Sequence, residues 1–272
     1  MKMDWEQELY WENEKPLDRL ADGYSNTAVF RKIAFVGDSL SSGEFETRDA
    51  EGNPGYHDLY EYSWGQYIAR KNGLFAYNFS RGGMSAKEYV ESFAEANGMW
   101  DKEKACQAYV IALGVNDLNG MGDAIGGVED IDPRDYRMNK PTIIGYYGAI
   151  VQRYKEISPD AKFFFVTFPK TVPNGKEEKV LKMIRALYDL AQFFDNAYVI
   201  DLYQYGPVYD EKFREKFYLH GHMNPSGYIL TARLVDSYID YIVRKNPDDF
   251  KNIGFVGTDI PYKPEDFAAD HA

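Results

Sequence analysis

Five short apolar runs, separated by segments of helical periodicity, constrain this chain more than any other feature. They lie at residues 32–37, 75–79, 108–113, 162–168 and 198–202. Lys32-Ile33-Ala34-Phe35-Val36-Gly37 and Ala108-Tyr109-Val110-Ile111-Ala112-Leu113 are nearly unbroken in hydrophobicity, as strands are when covered on both faces. Phe75, Tyr77 and Phe79 alternate with small or polar residues and read as another strand. Between the runs, apolar residues recur three and four apart: Trp64, Tyr67 and Ile68, then Ile143, Ile144, Tyr147, Ile150, Val151 and Tyr154, then Val180, Ile184, Leu187 and Ala191. Each set marks one face of a helix, and a last helix is expected over residues 226–243. Strands alternating with helices imply a parallel sheet with helices on both faces. Every strand then ends at the same edge, which is where open α/β sheets bind ligands.

The chain has 272 residues, enough for one large domain with a sizeable core. We read residues 1–272 as a single domain, with an arm over residues 1–31 and a tail over residues 246–272 packed on it. No repeat, low-complexity tract or linker divides it. The net charge of −12 argues against nucleic acid and anionic membranes as partners. Aromatic residues make up 16%, more than a core needs, and suit a cleft that stacks on sugar rings or acyl groups. Cys106 is the only cysteine, so no internal disulfide and no cysteine-based metal site is expected. Glu129, Asp130 and Asp132 lack the spacing and glycine of a calcium loop, and no metal or cofactor is expected. Met1-Lys2-Met3-Asp4-Trp5-Glu6 is acidic and has no apolar stretch of the kind a secretory leader carries, so the expected location is cytoplasmic. The loop over residues 119–141 is long for a compact domain and reads as a flexible cover over the cleft. Its glycines, Gly120, Gly122, Gly126 and Gly127, do not join a strand to a helix as a phosphate cradle does.

Four polar positions fall at or just after the expected strand ends: Ser39, Gly83, Asn116 and His222. Gly, Asp and Ser are also ordinary turn and capping residues, so Gly37-Asp38-Ser39 alone decides nothing. Together the four make a chemical set. Serine becomes a nucleophile when a base takes its proton, and histidine has the ordinary affinity for that proton near neutrality. An oxyanion then needs donors aimed at it. The N–H of Ser39, the N–H of Gly83 and the amide of Asn116 are each of the right type. His222 is preferred to His220 because it stands before Asn224-Pro225-Ser226-Gly227-Tyr228. His57 is read as a surface residue, and Asp117 as a loop anchor.

Gly37-Asp38-Ser39-Leu40 resembles the first block of the SGNH, or GDSL, hydrolase family. Asn78 followed by Gly83 and Ser85 resembles the second block, Gly114-Val115-Asn116-Asp117 the third, and His222 with Asn224 to Tyr228 the fifth. Their order and spacing agree with the family from Gly37 to Tyr228. The resemblance implies a flavodoxin-like three-layer α/β/α sandwich with a five-stranded parallel sheet. It also implies Ser39 as nucleophile, His222 as general base and then general acid, and an oxyanion hole of Ser39, Gly83 and Asn116. The activity it implies is a serine esterase without cofactor, acting on a small-molecule or oligosaccharide ester, acetyl on a carbohydrate being the first expectation. Short-chain lipid or thioester hydrolysis, or ligand binding without turnover, are the alternatives. One departure stands out. The family carries Asp three residues before the histidine, and here that residue is Leu219. The imidazole is then oriented by the Leu219 carbonyl, by a carboxylate from elsewhere such as Asp210, or not at all.

Overall fold

The structure is a computed structural model that describes residues 9–121 and 124–258. After a short one-turn helix at Asn26–Val29, the chain enters β1 (Lys32–Gly37) and a four-residue helix, α1 (Ser39–Ser42). A hairpin follows, made of β2 (Glu44–Arg48) and β3 (Pro54–Asp58). Next come α2 (Trp64–Asn72), β4 (Phe75–Ser80) and a helical segment, α3, over residues 86–96, whose middle part Tyr89–Phe93 is wound as a π-helix. The second half runs through β5 (Ala108–Ala112), α4 (Ile143–Ile157), β6 (Lys162–Val166), α5 (Glu177–Phe193) and β7 (Ala197–Ile200). After these come α6 (Glu211–Phe217), the two-residue strands β8 (Tyr218–Leu219) and β9 (His222–Met223), and α7 (Pro225–Lys245).

All five expected strands form one sheet in the order β4-β1-β5-β6-β7, every pair parallel. The period-two alternation divides their side chains between two cores. Ala34, Val36, Tyr109, Ile111, Phe163 and Phe165 face α3, α4 and α5 with Tyr89, Tyr147, Tyr154 and Leu187. Ile33, Phe35, Val110, Phe164 and Ile200 face α2 and α7 with Trp64, Ile68, Tyr228, Val235 and Ile239. Phe163, Phe164 and Phe165 are all fully buried. Each such side chain contributes about 2–3 kcal/mol, and only a sheet covered on both faces can use three in a row. The architecture is the flavodoxin-like α/β/α sandwich.

The polar segments are anchored as well. Glu14 in the arm forms a two-pronged ion pair with Arg244 of α7, at 2.7 and 2.8 Å. In the tail, Phe250 and Ile253 are buried on the α7 side of the sheet. Residues 1–8, 122–123 and 259–272 lie outside the described residues, and with them Trp5, Gly122, Ile260 and Tyr262 of the sequence reading. Within the expected flexible cover, the stretch over residues 124–141 is braced. Asp130 accepts from Lys140 Nζ at 2.9 Å, Thr142 Oγ1 at 3.0 Å and the Gly127 N–H at 3.2 Å. These bonds hold the Asp130 carboxyl below its ordinary range, the Lys140 bond first among them. Asp132 is engaged by the N–H groups of Arg134 and Asp135.

Candidate active site

Strand register brings the distant motifs together. Gly37 lies beside Ser80 on one side and Ala112 on the other. Ser39, Gly83 and Asn116 follow those three residues within a few positions, so they leave the sheet at one edge. Asp38 caps α1. Its Oδ1 accepts the Leu40 N–H at 3.0 Å, and its carbonyl accepts those of Ser41 and Ser42 at 3.0 and 2.9 Å. A helix start exposes four such donors; here the one left over is the N–H of Ser39. Gly83 sits at φ +71°, a left-handed conformation that favours glycine, and faces open space. Asn116 gives one amide hydrogen to the Met84 carbonyl at 3.0 Å, which fixes the amide and leaves its second hydrogen. Asp117 takes the anchoring role expected of it: both its oxygens accept the Ala86 N–H, at 3.0 and 3.2 Å.

His222 reaches the same edge on the β8–β9 hairpin, whose turn residue His220 is exposed at φ +58°. Its ring lies between two carboxylates of β2. Nδ1 is 3.2 Å from Glu46 Oε2, and Nε2 is 3.0 Å from Glu44 Oε1. Residues two apart on a strand point the same way, so Glu44 and Glu46 flank one imidazole. Phe45 between them points away and packs on Tyr62 and Tyr228, with ring centroids 5.6 and 5.4 Å apart. Glu46 is buried; it also accepts the Gly221 N–H at 2.8 Å and is paired with Arg48. Burial alone pulls its pKa upward, but the bonds from His222 and Gly221 and the charge of Arg48 outweigh that and hold it below the carboxylate range. Glu44 has no such set of donors. Burial raises its pKa, and the His222 ring offsets that only in part.

Sequence reading missed both glutamates, because a strand that points carboxylates inward lacks the apolar alternation by which strands are found. Neither of the two orienters it named is the partner of Nδ1, although Leu219 pairs with His222 across the hairpin. Asp210 caps α6 by accepting the Phe213 N–H at 2.8 Å, and Nδ1 of His222 finds Glu46 rather than the Leu219 carbonyl. Among the described residues, no hydrogen bond joins Ser39 to His222. His57, on β3, is exposed and bonded to Thr47 Oγ1 at 2.9 Å, while its neighbour Tyr56 sets its ring edge-on to His222 at 5.6 Å.

A cleft of about 190 Å³ opens beside this edge, between Leu40, Val115, Phe168, Tyr209 and Tyr218, with Lys176, Lys179 and Arg214 on its lining. It shares Leu40, Val115, Phe168 and Tyr209 with an inner, mostly apolar cavity of about 80 Å³. A larger depression of about 780 Å³, between Pro133, Tyr136, Lys155 and Phe194, contains none of the site residues and is shallow and open. The smaller cleft and the inner cavity do not include Ser39, Gly83, Asn116 or His222 in their linings either, but they hold the chain neighbours Leu40 and Val115 and so adjoin the edge. The described residues contain no group of three or more metal-ligating side chains, and no helix long and apolar enough to cross a membrane.

Comparison with known proteins gives the family and the fold. Residues 35–230 match the model of the GDSL-like lipase/acylhydrolase family. A family two carbohydrate esterase from Clostridium thermocellum, solved with cellohexaose, superposes with a TM-score of 0.55 over 85% of this chain and 67% of its own, at 15% identity. The carbohydrate acetylesterase Est24 from Sinorhizobium meliloti gives a TM-score of 0.52 over 78% of this chain and 99% of its own, at 16% identity. A Lactobacillus plantarum protein gives 0.56 over 78% and 97%, at 16% identity. No curated protein matches the sequence.

Proposed function

Because the chain belongs to the GDSL-like lipase/acylhydrolase family and is an ester hydrolase, we propose that it is a serine esterase that removes short acyl groups, acetyl foremost, from a carbohydrate. What supports this reading is that Ser39, Gly83 and Asn116 follow neighbouring strands out of one sheet edge, and that β9, which carries His222, packs beside α1. Ser39 Oγ attacks the ester carbonyl carbon, and its proton passes to Nε2 of His222. The carbonyl oxygen becomes an oxyanion held by the three donors. Collapse breaks the bond to the alcohol, which leaves with the proton from Nε2, and water then releases the acid from Ser39 by the same steps in reverse.

The acetyl preference rests on the small inner cavity of about 80 Å³ beside Leu40. A sugar as acceptor is supported by Tyr56, whose ring stands exposed beside His222, and by the carbohydrate esterases that share the fold. The engagement of Nε2 by Glu44 instead of Ser39 favours a second reading, a ligand-binding protein without turnover. A fluorophosphonate probe separates the two. We expect it to label the native protein and not the Ser39→Ala variant; a native protein that stays unlabelled sinks the esterase. Rates on p-nitrophenyl esters should fall as the acyl chain lengthens beyond acetate, and acetylated oligosaccharides should be deacetylated. A preference for long chains would remove the sugar-acetate assignment and leave a short-chain lipid or thioester hydrolase to be tested.

A further inference from the structure

We propose that Glu46 is the positioning residue for His222, delivered by the β2–β3 hairpin in place of the acid that position 219 lacks. The inference rests on the serine esterase reading above. A base that takes a proton on Nε2 must carry its own proton on Nδ1 and must not rotate. Glu46 meets both requirements. As an ionised carboxylate it can only accept, so its contact with Nδ1, at 3.2 Å, selects a form with Nδ1–H; Nε2, 3.0 Å from Glu44 Oε1, accepts only when Glu44 carries a proton or moves aside. Its own position is fixed at several points. Oε2 also takes the Gly221 N–H at 2.8 Å, and Oε1 is held by Arg48.

Gly221 shows that the arrangement is specific. A Cβ at position 221 would stand 2.4 Å from Glu46 Oε2, so the carboxylate approaches His222 only because that residue has no side chain. One glycine, directly before the histidine, therefore supplies both the room and a donor. Glu44 is a different case. It contacts Nε2, the nitrogen the nucleophile needs, and so competes with Ser39 rather than orienting the ring. It sits against Gly82, where a Cβ would lie 2.2 Å from its Oε2.

The test uses the full-length protein with E46Q, E44Q and Gly221→Ala, each checked for folding by thermal melting. Proton NMR reads the Nδ1–H of His222, which a carboxylate partner moves far downfield. We expect the signal in the native protein, in Ser39→Ala and in E44Q, and its loss in E46Q and Gly221→Ala. On p-nitrophenyl acetate, E46Q should lose on the order of 10³-fold in kcat with little change in KM, as when a serine hydrolase loses its orienting acid. Gly221→Ala should fold, since the carboxylate can swing aside, and should lose kcat in the same way. E44Q removes the second anion that holds a proton on Nε2 and should gain in kcat/KM. A downfield signal that persists in E46Q, or an E46Q enzyme with native kcat, overturns the proposal. The NMR result stands whether or not the protein turns over. A native protein that shows the signal but neither labels nor hydrolyses would refute the esterase reading and leave the Glu46–His222 pairing in place.

Discussion

Asp38 shows how tightly charge is packed at this edge. The residue is 3% exposed, and burial, with smaller contributions from Asp117 and Glu44, pushes its pKa to about 6 from an ordinary 3.8; the Leu40 N–H and His222 oppose that rise. An acid whose folded pKa is raised binds its proton more tightly in the native state than in the unfolded one. Stability therefore falls as pH rises from about 4 to about 6, and the penalty is complete above that. A shift of two units is about 3 kcal/mol at neutral pH. Asp38→Asn keeps a cap for Leu40 and removes the charge. We expect it to be more stable than the native protein at pH 7 and to lose that advantage near pH 4. Urea unfolding at the two pH values measures it, and an equal difference at both would show that Asp38 ionises without penalty. Glu46 behaves in the opposite sense. Its folded pKa is lowered, so its contribution is present at neutral pH and fades only as pH falls through the folded value.

The β2–β3 hairpin is the element on which the site depends, and also the element that was hardest to read. The five sheet strands were legible because each is an apolar run covered on both faces. The shared edge of Ser39, Gly83 and Asn116 was legible because each follows a sheet strand, whereas His222 comes on a separate hairpin and was singled out by the residues that follow it. In Glu44-Phe45-Glu46-Thr47-Arg48 the inward positions are carboxylates, which satisfy an imidazole instead of burying in a core. One phenylalanine was the only apolar signal, and the Gly52-Asn53-Pro54 turn made the stretch look like loop. The identity of the acid was hidden for a related reason: a contact across 176 positions follows from packing, not from spacing along the chain. What docks the hairpin is Tyr228 of α7. It is fully buried, and its hydroxyl donates to the Glu44 carbonyl at 2.5 Å and lies 3.5 Å from that of Ser39. Tyr228→Phe leaves buried carbonyls without that donor, which costs about 1–3 kcal/mol. We expect a lower urea midpoint and slower labelling of Ser39 by the fluorophosphonate; native values for both would mean that the hairpin is held by Phe45 packing alone.

At the scale of the whole molecule, the question is what keeps a polar arm on an acidic protein. Phe30 at the end of the arm is fully buried, but residues 9–24 bury little apolar surface: Leu9, Tyr10 and Trp11 are exposed, and Leu17 and Leu20 only partly packed. The attachment is instead electrostatic and concentrated. Glu14 and Arg244 are 2% and 4% exposed at the side chain, and Arg244 also bonds Asp240 at 2.8 Å and the Leu9 carbonyl at 2.6 Å. Taking two charges out of water is unfavourable, and their attraction offsets it only when both are present. Removing one partner should thus be far worse than removing both. Glu14→Gln leaves Arg244 buried with Asp240 as its remaining counter-ion, and we expect it to destabilise the protein by about 3 kcal/mol and to open the arm to protease before the sheet unfolds. Glu14→Leu combined with Arg244→Met replaces the pair by apolar groups of similar size and should return close to native stability. Fluorophosphonate labelling of Ser39 should be unchanged in both, because neither residue touches the catalytic edge. If the double variant is as unstable as Glu14→Gln, the pair itself, rather than the unpaired charge, sets the stability of the arm.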